Sequence, residues 1–263
     1  MEDTRGKKPS HVQSVERAII LLDVMAQSGR EASLTDISRR CGLAKSTVYG
    51  ILSTLRDYRV VEQSEGSGHY RLGSRLFELG NLVAKSWDVC AIAKPHLRRL
   101  SETVGETVHL AMESSGEVLY LDKVESKQLI RIVSEVGGRL PMHCSGLGKA
   151  LLAYMSEIDV GKIAEKRGLV KMTSRTITTL PKLFEELERV RSQGYAVDNG
   201  EIMDNLRCVA APIFDVYGAV RYAVSVSGLD SNMRSGVLGR AIQQVMHTAG
   251  VISGAMGASK ELS

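Results

Sequence analysis

Residues 34–58 hold two short helical patterns on either side of a Gly-centred turn, and this arrangement restricts the chain more than any other feature. The first pattern begins at Thr35, a good N-cap, and sets Ile37 and Cys41 on one face before Gly42 ends it. In the second, Val48, Ile51, Leu52 and Leu55 recur at the i, i+3, i+4, i+7 spacing of a helix with one buried stripe. The opposite face carries Ser46, Thr47, Tyr49, Gly50 and Ser53, short groups and one aromatic that suit close approach to a major-groove wall. The turn Cys41-Gly42-Leu43-Ala44 has the length and glycine of a helix-turn-helix.

Upstream, Ser14 is placed to cap a supporting helix with an apolar stripe of Val15, Ala18, Ile19, Leu22 and Met25. Downstream, residues 60–63 and 69–72 read as strands around Glu65-Gly66-Ser67-Gly68, a hairpin with a glycine tip. The helices alone would also fit a plain three-helix core. Helices followed by a hairpin describe a winged helix-turn-helix.

Charge placement must then carry affinity for DNA, because residues 1–80 hold 12 Lys/Arg against 10 Asp/Glu and the whole chain has a formal charge of only +4. Arg39, Arg40, Lys45, Arg56, Arg59, Arg71 and Arg75 are the candidates for phosphate contacts, although solvated surface charge accounts equally well for any single one. Ser46, Thr47 and Tyr49 are the candidates for base readout, with Lys45 and Arg71 holding phosphates.

No run of apolar residues is long enough for a transmembrane helix, and the charged N-terminus has no signal-peptide core, so a cytoplasmic location is expected. Cys41, Cys90, Cys144 and Cys208 are scattered with no C-x-x-C pair, which gives no disulfide framework and no zinc site. Neither a metal nor a cofactor is expected.

From Ser74 a helical pattern continues past Trp87 to Gly105, with Pro95 at a bend or in the first turn of a second helix. Three strands at hairpin spacing follow at residues 107–112, 117–124 and 129–136, then helices at 146–155, 158–166 and 181–193. Two apolar strands at 207–214 and 219–227 and a closing helix from about Ser231 to Met256 complete an α+β domain. The organisation read from this is a flexible N-terminus (1–10), a winged helix-turn-helix (11–73), linker helices (74–104), a mixed α/β domain (105–257) and a tail (258–263).

The turn Ser145-Gly146-Leu147-Gly148 opens a helix, so its free backbone amides and the helix dipole favour an anion. On residues 220–227, alternation sets Val220, Tyr222, Val224 and Val226 on one face and Arg221, Ala223, Ser225 and Ser227 on the other. The two hydroxyls fit either a polar lining or an ordinary half-exposed strand face. Two enzyme-like readings also arise, with Cys144 beside His143 or Cys208 with Asp198 as a nucleophile or thiol sensor. Neighbours on a strand point to opposite faces and no third orienting group is evident, which argues against catalysis.

Over nearly its whole length the chain resembles the IclR family of bacterial transcriptional regulators. The matching segments are Ser14-Val15-Glu16-Arg17-Ala18, Gly42-Leu43-Ala44-Lys45-Ser46-Thr47-Val48-Tyr49, Tyr70-Arg71-Leu72-Gly73 and Gly105-Glu106-Thr107-Val108-His109-Leu110. They continue with Leu140-Pro141-Met142-His143-Cys144-Ser145-Gly146-Leu147-Gly148-Lys149-Ala150, Gly194-Tyr195-Ala196-Val197-Asp198 and Leu206-Arg207-Cys208-Val209-Ala210-Ala211-Pro212. The resemblance implies a winged helix-turn-helix, a linker helix and a GAF-like effector domain, assembled as homodimers that pair into tetramers. It also implies a sensed organic acid, held by the backbone amides of Gly146 and Leu147 and by the side chains of Asp198, Cys208, Ser225 and Ser227. An Asp beside a carboxylate ligand must be protonated or accept from a ligand hydroxyl, which favours a hydroxy- or keto-acid. Two departures stand out: Gly50 replaces an Arg common in relatives, and Asn199-Gly200-Glu201 replaces an acidic run after Asp198.

Overall fold

The computed structural model describes residues 12–29, 31–86, 88–126, 134–233 and 235–258. The expected flexible N-terminus 1–10 and almost all of the expected tail lie outside them. The chain divides into two compact units, Met1–Ser86 and Trp87–Ser263.

The first unit is built from α1 (Gln13–Gln27), α2 (Leu34–Cys41), α3 (Lys45–Asp57), the strands β1 (Val61–Gln63) and β2 (Tyr70–Leu72), and α4 (Ser74–Ser86). Leu21, Met25, Ile37, Val48, Leu52, Val61 and Tyr70 form its core. The strands pair antiparallel with Glu62 opposite Arg71, as the hairpin pattern predicts, and Ala32 adds a bridge to Tyr70.

Two caps differ from expectation. Ser33, not Thr35, caps α2: its hydroxyl accepts from the Asp36 amide at 3.2 Å and donates to the Asp36 carboxylate at 2.7 Å, whereas Thr35 already lies inside the helix. Ser14 lies inside α1, whose N-cap is Val12 with no side-chain bond. The stripe of α1 is also rotated, with Leu21 and Met25 buried while Val15 and Ile19 face solvent. Gly42 ends α2 at φ 65°, the left-handed stop its position requires. Gly73 is fixed by close approach, since a Cβ there would sit 2.2 Å from the Arg59 carbonyl oxygen.

The second unit begins with α5 (Asp88–Val104) and continues with β3 (Thr107–Ser114), β4 (Glu117–Val124), β5 (Arg139–Pro141), α6 (Gly146–Leu152), α7 (Glu157–Arg167) and α8 (Leu180–Gln193). The strands β6 (Ala196–Asn199), β7 (Leu206–Phe214) and β8 (Val220–Leu229) and the helix α9 (Ser235–Ala255) complete it. The predicted strand 129–136 falls mostly on residues outside the described ones, and β5 occupies the place beside β4. Pro95 lies in the interior of α5 and not in a first turn.

All sheet neighbours are antiparallel, in the order β5-β4-β3-β8-β7-β6. Each central strand is buried on both faces because helices cover both. Leu97, Leu100, Val245 and Ile252 of α5 and α9 pack over Leu110, Val209, Val224 and Val226. Leu147, Leu151, Val160, Leu183 and Leu187 of α6, α7 and α8 pack over Ala111, Val118, Ala210 and Ala223. Val220 departs from the simple alternation and joins the second cluster, because the pairing shifts between Ile213 and Phe214 and leaves Arg221 without an opposite residue.

Candidate functional site

Register places polar side chains in rows across the face of the sheet beneath α6. Thr107, Ser227, Cys208 and Asp198 lie opposite one another on β3, β8, β7 and β6, and two residues along, His109 lies opposite Ser225. Side chains directly opposite in an antiparallel sheet project from the same face. The two serines therefore line a polar strip inside the domain, with Ser225 fully buried, and not a half-exposed strand face.

The helix α6 closes on this strip. Ser145 caps it, accepting from the Gly148 amide at 3.1 Å while donating to the Pro141 carbonyl at 2.8 Å. Gly146 is pressed against β7, since a Cβ there would meet the Cys208 sulfur at 3.0 Å. Gly146, next to the cap Ser145, thus lies against Cys208, and Leu147 points into the apolar cluster while its amide belongs to the first turn.

Burial dominates the protonation states here. Asp198, enclosed beneath the surface, has its carboxyl raised to about 6 by burial, against the pull of the Glu201 amide that donates to Oδ1 at 2.6 Å. Burial also pushes the Cys208 thiol up to about 11, although the Ser227 and Ser225 hydroxyls draw it down, and Cys144 up to about 12. His109 is lowered to about 4 by burial and by Lys123, so its ring is neutral, with Nε2 at 2.8 Å from Ser134 Oγ. Tyr120 stacks beside it with ring centroids 4.7 Å apart, and burial keeps its phenol protonated.

Two polar atoms of this strip, His109 Nδ1 and Ser225 Oγ, are buried without a well-formed hydrogen bond. Native interiors seldom leave such groups unpartnered unless something else fills the space. Sequence reasoning missed Thr107, His109 and Tyr120. The signal was present in β3, where Thr107 and His109 alternate with Val108 and Leu110.

On the first unit, α3 exposes Lys45, Ser46, Tyr49 and Gly50, with Thr47 half-buried. Gly50 has nothing within 4 Å of where a Cβ would lie, so the missing Arg leaves open surface. Arg71 on the wing is held by Glu62, with Nη2 at 3.0 Å and Nε at 3.1 Å from the same carboxylate oxygen, and Arg39 pairs with Asp36 at 2.8 Å. A phosphate at either guanidinium has a carboxylate to compete with.

A winged helix-turn-helix joined to a separate α/β unit that encloses a polar strip defines a DNA-binding regulator. Comparisons identify its kind. Residues 14–65 match the IclR helix-turn-helix domain and residues 81–254 match the bacterial transcriptional regulator IclR C-terminal domain. The chain is 35% identical over 246 residues to the HTH-type transcriptional regulator XynR of Escherichia coli, covering 94% of this chain and 98% of that protein. It is 37% identical over 234 residues to the transcriptional repressor IclR of Escherichia coli, covering 85% of each. Among solved structures, an IclR homolog of Microbacterium hydrocarbonoxydans complexed with 4-hydroxybenzoate superposes with a TM-score of 0.83 at 26% identity, over 94% of this chain and 100% of that one. The Thermotoga maritima IclR superposes with a TM-score of 0.77 at 30% identity, over 94% and 100%. The chain belongs to the IclR family of transcriptional regulators.

It is a regulator and not an enzyme, and the thiols agree: with both raised well above neutrality by burial, neither Cys144 nor Cys208 offers a thiolate at pH 7. Among the described residues, no helix is long and apolar enough to cross a membrane.

Proposed function

We propose that this protein is a repressor whose affinity for operator DNA is set by a small organic acid, of the hydroxy- or keto-acid type, bound on the polar strip beneath α6. The observation that carries this reading is the row of buried polar groups beside the first turn of α6, in which His109 Nδ1 has no hydrogen-bond partner and Ser225 Oγ meets only the Cys208 sulfur. In the proposed site the acid's carboxylate meets the amides of Gly146 and Leu147, with Ser145 holding the turn. Ser225, Ser227, Cys208 and Asp198 surround the remainder. The raised pKa of Asp198 supports the class of ligand, because a carboxyl that burial already pushes toward its neutral form takes up a proton more readily beside an anion, or accepts from a ligand hydroxyl. The relative complexed with 4-hydroxybenzoate holds an acid that also bears a hydroxyl.

The helix α3 reads bases through Ser46, Thr47 and Tyr49, while Arg39, Lys45 and Arg71 contact phosphates. The protein acts as a homodimer, and as a dimer of dimers, on paired half-sites. Acid binding favours one arrangement of the linker helices 74–104, which changes the spacing of the recognition helices and lowers operator affinity. Repression is supported by two relatives named as repressors, the acetate operon repressor of Salmonella typhimurium and the HTH-type transcriptional repressor AllR of Escherichia coli, 36% and 35% identical to this chain.

Calorimetry of the full-length protein against a panel of hydroxy-, keto- and unsubstituted acids tests the ligand class. Saturable binding of acids, weakened in a Ser225→Ala variant, is expected; binding of neutral or cationic molecules alone contradicts it.

A further inference from the structure

A pocket partly open to solvent lies away from the polar strip, between α7, α8 and the β4–β5 edge of the sheet. We infer that it is a separate binding site for an uncharged molecule about the size of a single six-membered ring. Its volume is about 160 Å³, and its walls include Met142, Leu152, Val160, Ile163 and Leu183. A cavity of about 150 Å³ with aliphatic and aromatic walls is dry and takes up benzene.

The polar groups on its rim decide the charge of the occupant. Arg167 spends its donors on the Ser115 carbonyl, at 3.0 Å from Nε and 2.7 Å from Nη2, and on Glu117 at 3.0 Å. Gly116, at φ 83°, lets the Arg167 stem lie 3.3 Å from where a Cβ would stand. His143 is held neutral by burial and its Nε2 is bonded to the Val170 carbonyl at 3.1 Å. Arg167 and Arg139 share the Glu117 carboxylate and both also bond backbone carbonyls, so an ion entering this space loses hydration and meets only groups already engaged, whereas an apolar ring gives up little.

The site is mechanically close to the first turn of α6. Met142 walls the cavity, and the Gly148 backbone rests so near it that a Cβ would stand 2.2 Å from the Met142 carbonyl oxygen. A molecule that fills the cavity supports Met142 from behind and with it the seat of α6. None of Asp198, Cys208, Ser225 or Ser227 lines the space, so the inference stands apart from the organic-acid reading.

The test uses the full chain with benzene as probe, benzoate as charged counterpart, and methyl-resolved NMR of Leu, Val and Met side chains. Benzene is expected to shift the Leu183, Val160 and Met142 methyls saturably and, at ten times its Kd, to raise the melting temperature by about 2–4 °C. Benzoate, which the organic-acid site can also take, leaves the Leu183 and Val160 methyls unmoved. Ala164→Phe fills the cavity and abolishes the benzene response, and Ala164→Leu, a smaller filling, weakens it if the larger side chain prevents folding. Absence of saturable shifts up to the solubility limit, shifts undiminished in a folded filled variant, or equal shifts with benzoate would overturn the assignment.

Discussion

Lys149 and Glu201 form an ion pair inside the second unit, with side chains 1% and 8% exposed, that ties α6 to the turn after β6. The same ammonium bonds Glu186 of α8 at 3.0 Å and the Val197 carbonyl at 2.6 Å. Burial works against the charge on Lys149, but the two carboxylates outweigh it and hold the pKa above that of an ordinary lysine. One buried cation thus fixes the helix whose first turn borders the polar strip.

Replacing it strands the buried Glu201 carboxylate, while Glu186 keeps Arg189 at 2.8 Å. Lys149→Met should destabilise the second unit by about 3–5 kcal/mol, since breaking a buried pair strands the remaining charge. Urea unfolding of the full chain measures this, and Lys149→Met combined with Glu201→Gln should recover part of the loss. A change below about 1 kcal/mol would show that water reaches the cluster.

Asp198 and His109 should give opposite pH slopes. Asp198 is raised from 3.8 to about 6, so the folded state binds more protons in that window and stability falls as pH rises through it. His109 is lowered from 6.5 to about 4, so the unfolded state binds more protons and stability falls as pH drops through that window. Each slope is about 1.4 kcal/mol per pH unit, and in the wild type they oppose. Asp198→Asn should therefore make stability rise more steeply with pH between 4 and 6 than in the wild type, and His109→Gln should do the reverse. Parallel profiles in both variants would contradict the assignment of these protons.

Ser225→Ala removes a buried hydroxyl that has no well-formed bond. Stability should change by less than about 1 kcal/mol, because only a weak contact with the Cys208 sulfur is lost, while acid affinity falls several-fold. A stable variant with unchanged acid affinity would move the ligand elsewhere.

At the DNA surface, Arg71→Ala should weaken binding to all sequences alike and flatten the salt dependence by about one unit of log–log slope. Glu62→Gln should do the opposite, because it frees the guanidinium that Glu62 now holds. Gel shifts at several salt concentrations distinguish this from a base contact, for which the loss would be confined to one position of the site.

The parts legible in the sequence were those fixed by neighbouring residues. The wing register follows from short alternating strands around a glycine tip, and the stops at Gly42 and Gly194 follow from left-handed geometry that only a few residues tolerate. The cap at Ser33 was missed because Thr35 is an equally good capping type, and only the Asp36 bond separates them. The strand β6 is four residues long and carries too little pattern to be seen alone. Lys149 reads as a surface lysine because its partners lie 37 and 52 residues away, and the polar strip emerges only when register sets β3, β8, β7 and β6 side by side.

The most direct measurement is fluorescence anisotropy of the full-length protein on its operator, with and without the acid found by calorimetry, paired with acid titration in the presence and absence of operator. The account predicts that acid weakens operator binding by a factor of about 5–150, and that operator weakens acid binding by the same factor. An acid that binds the protein but leaves operator affinity unchanged would contradict it.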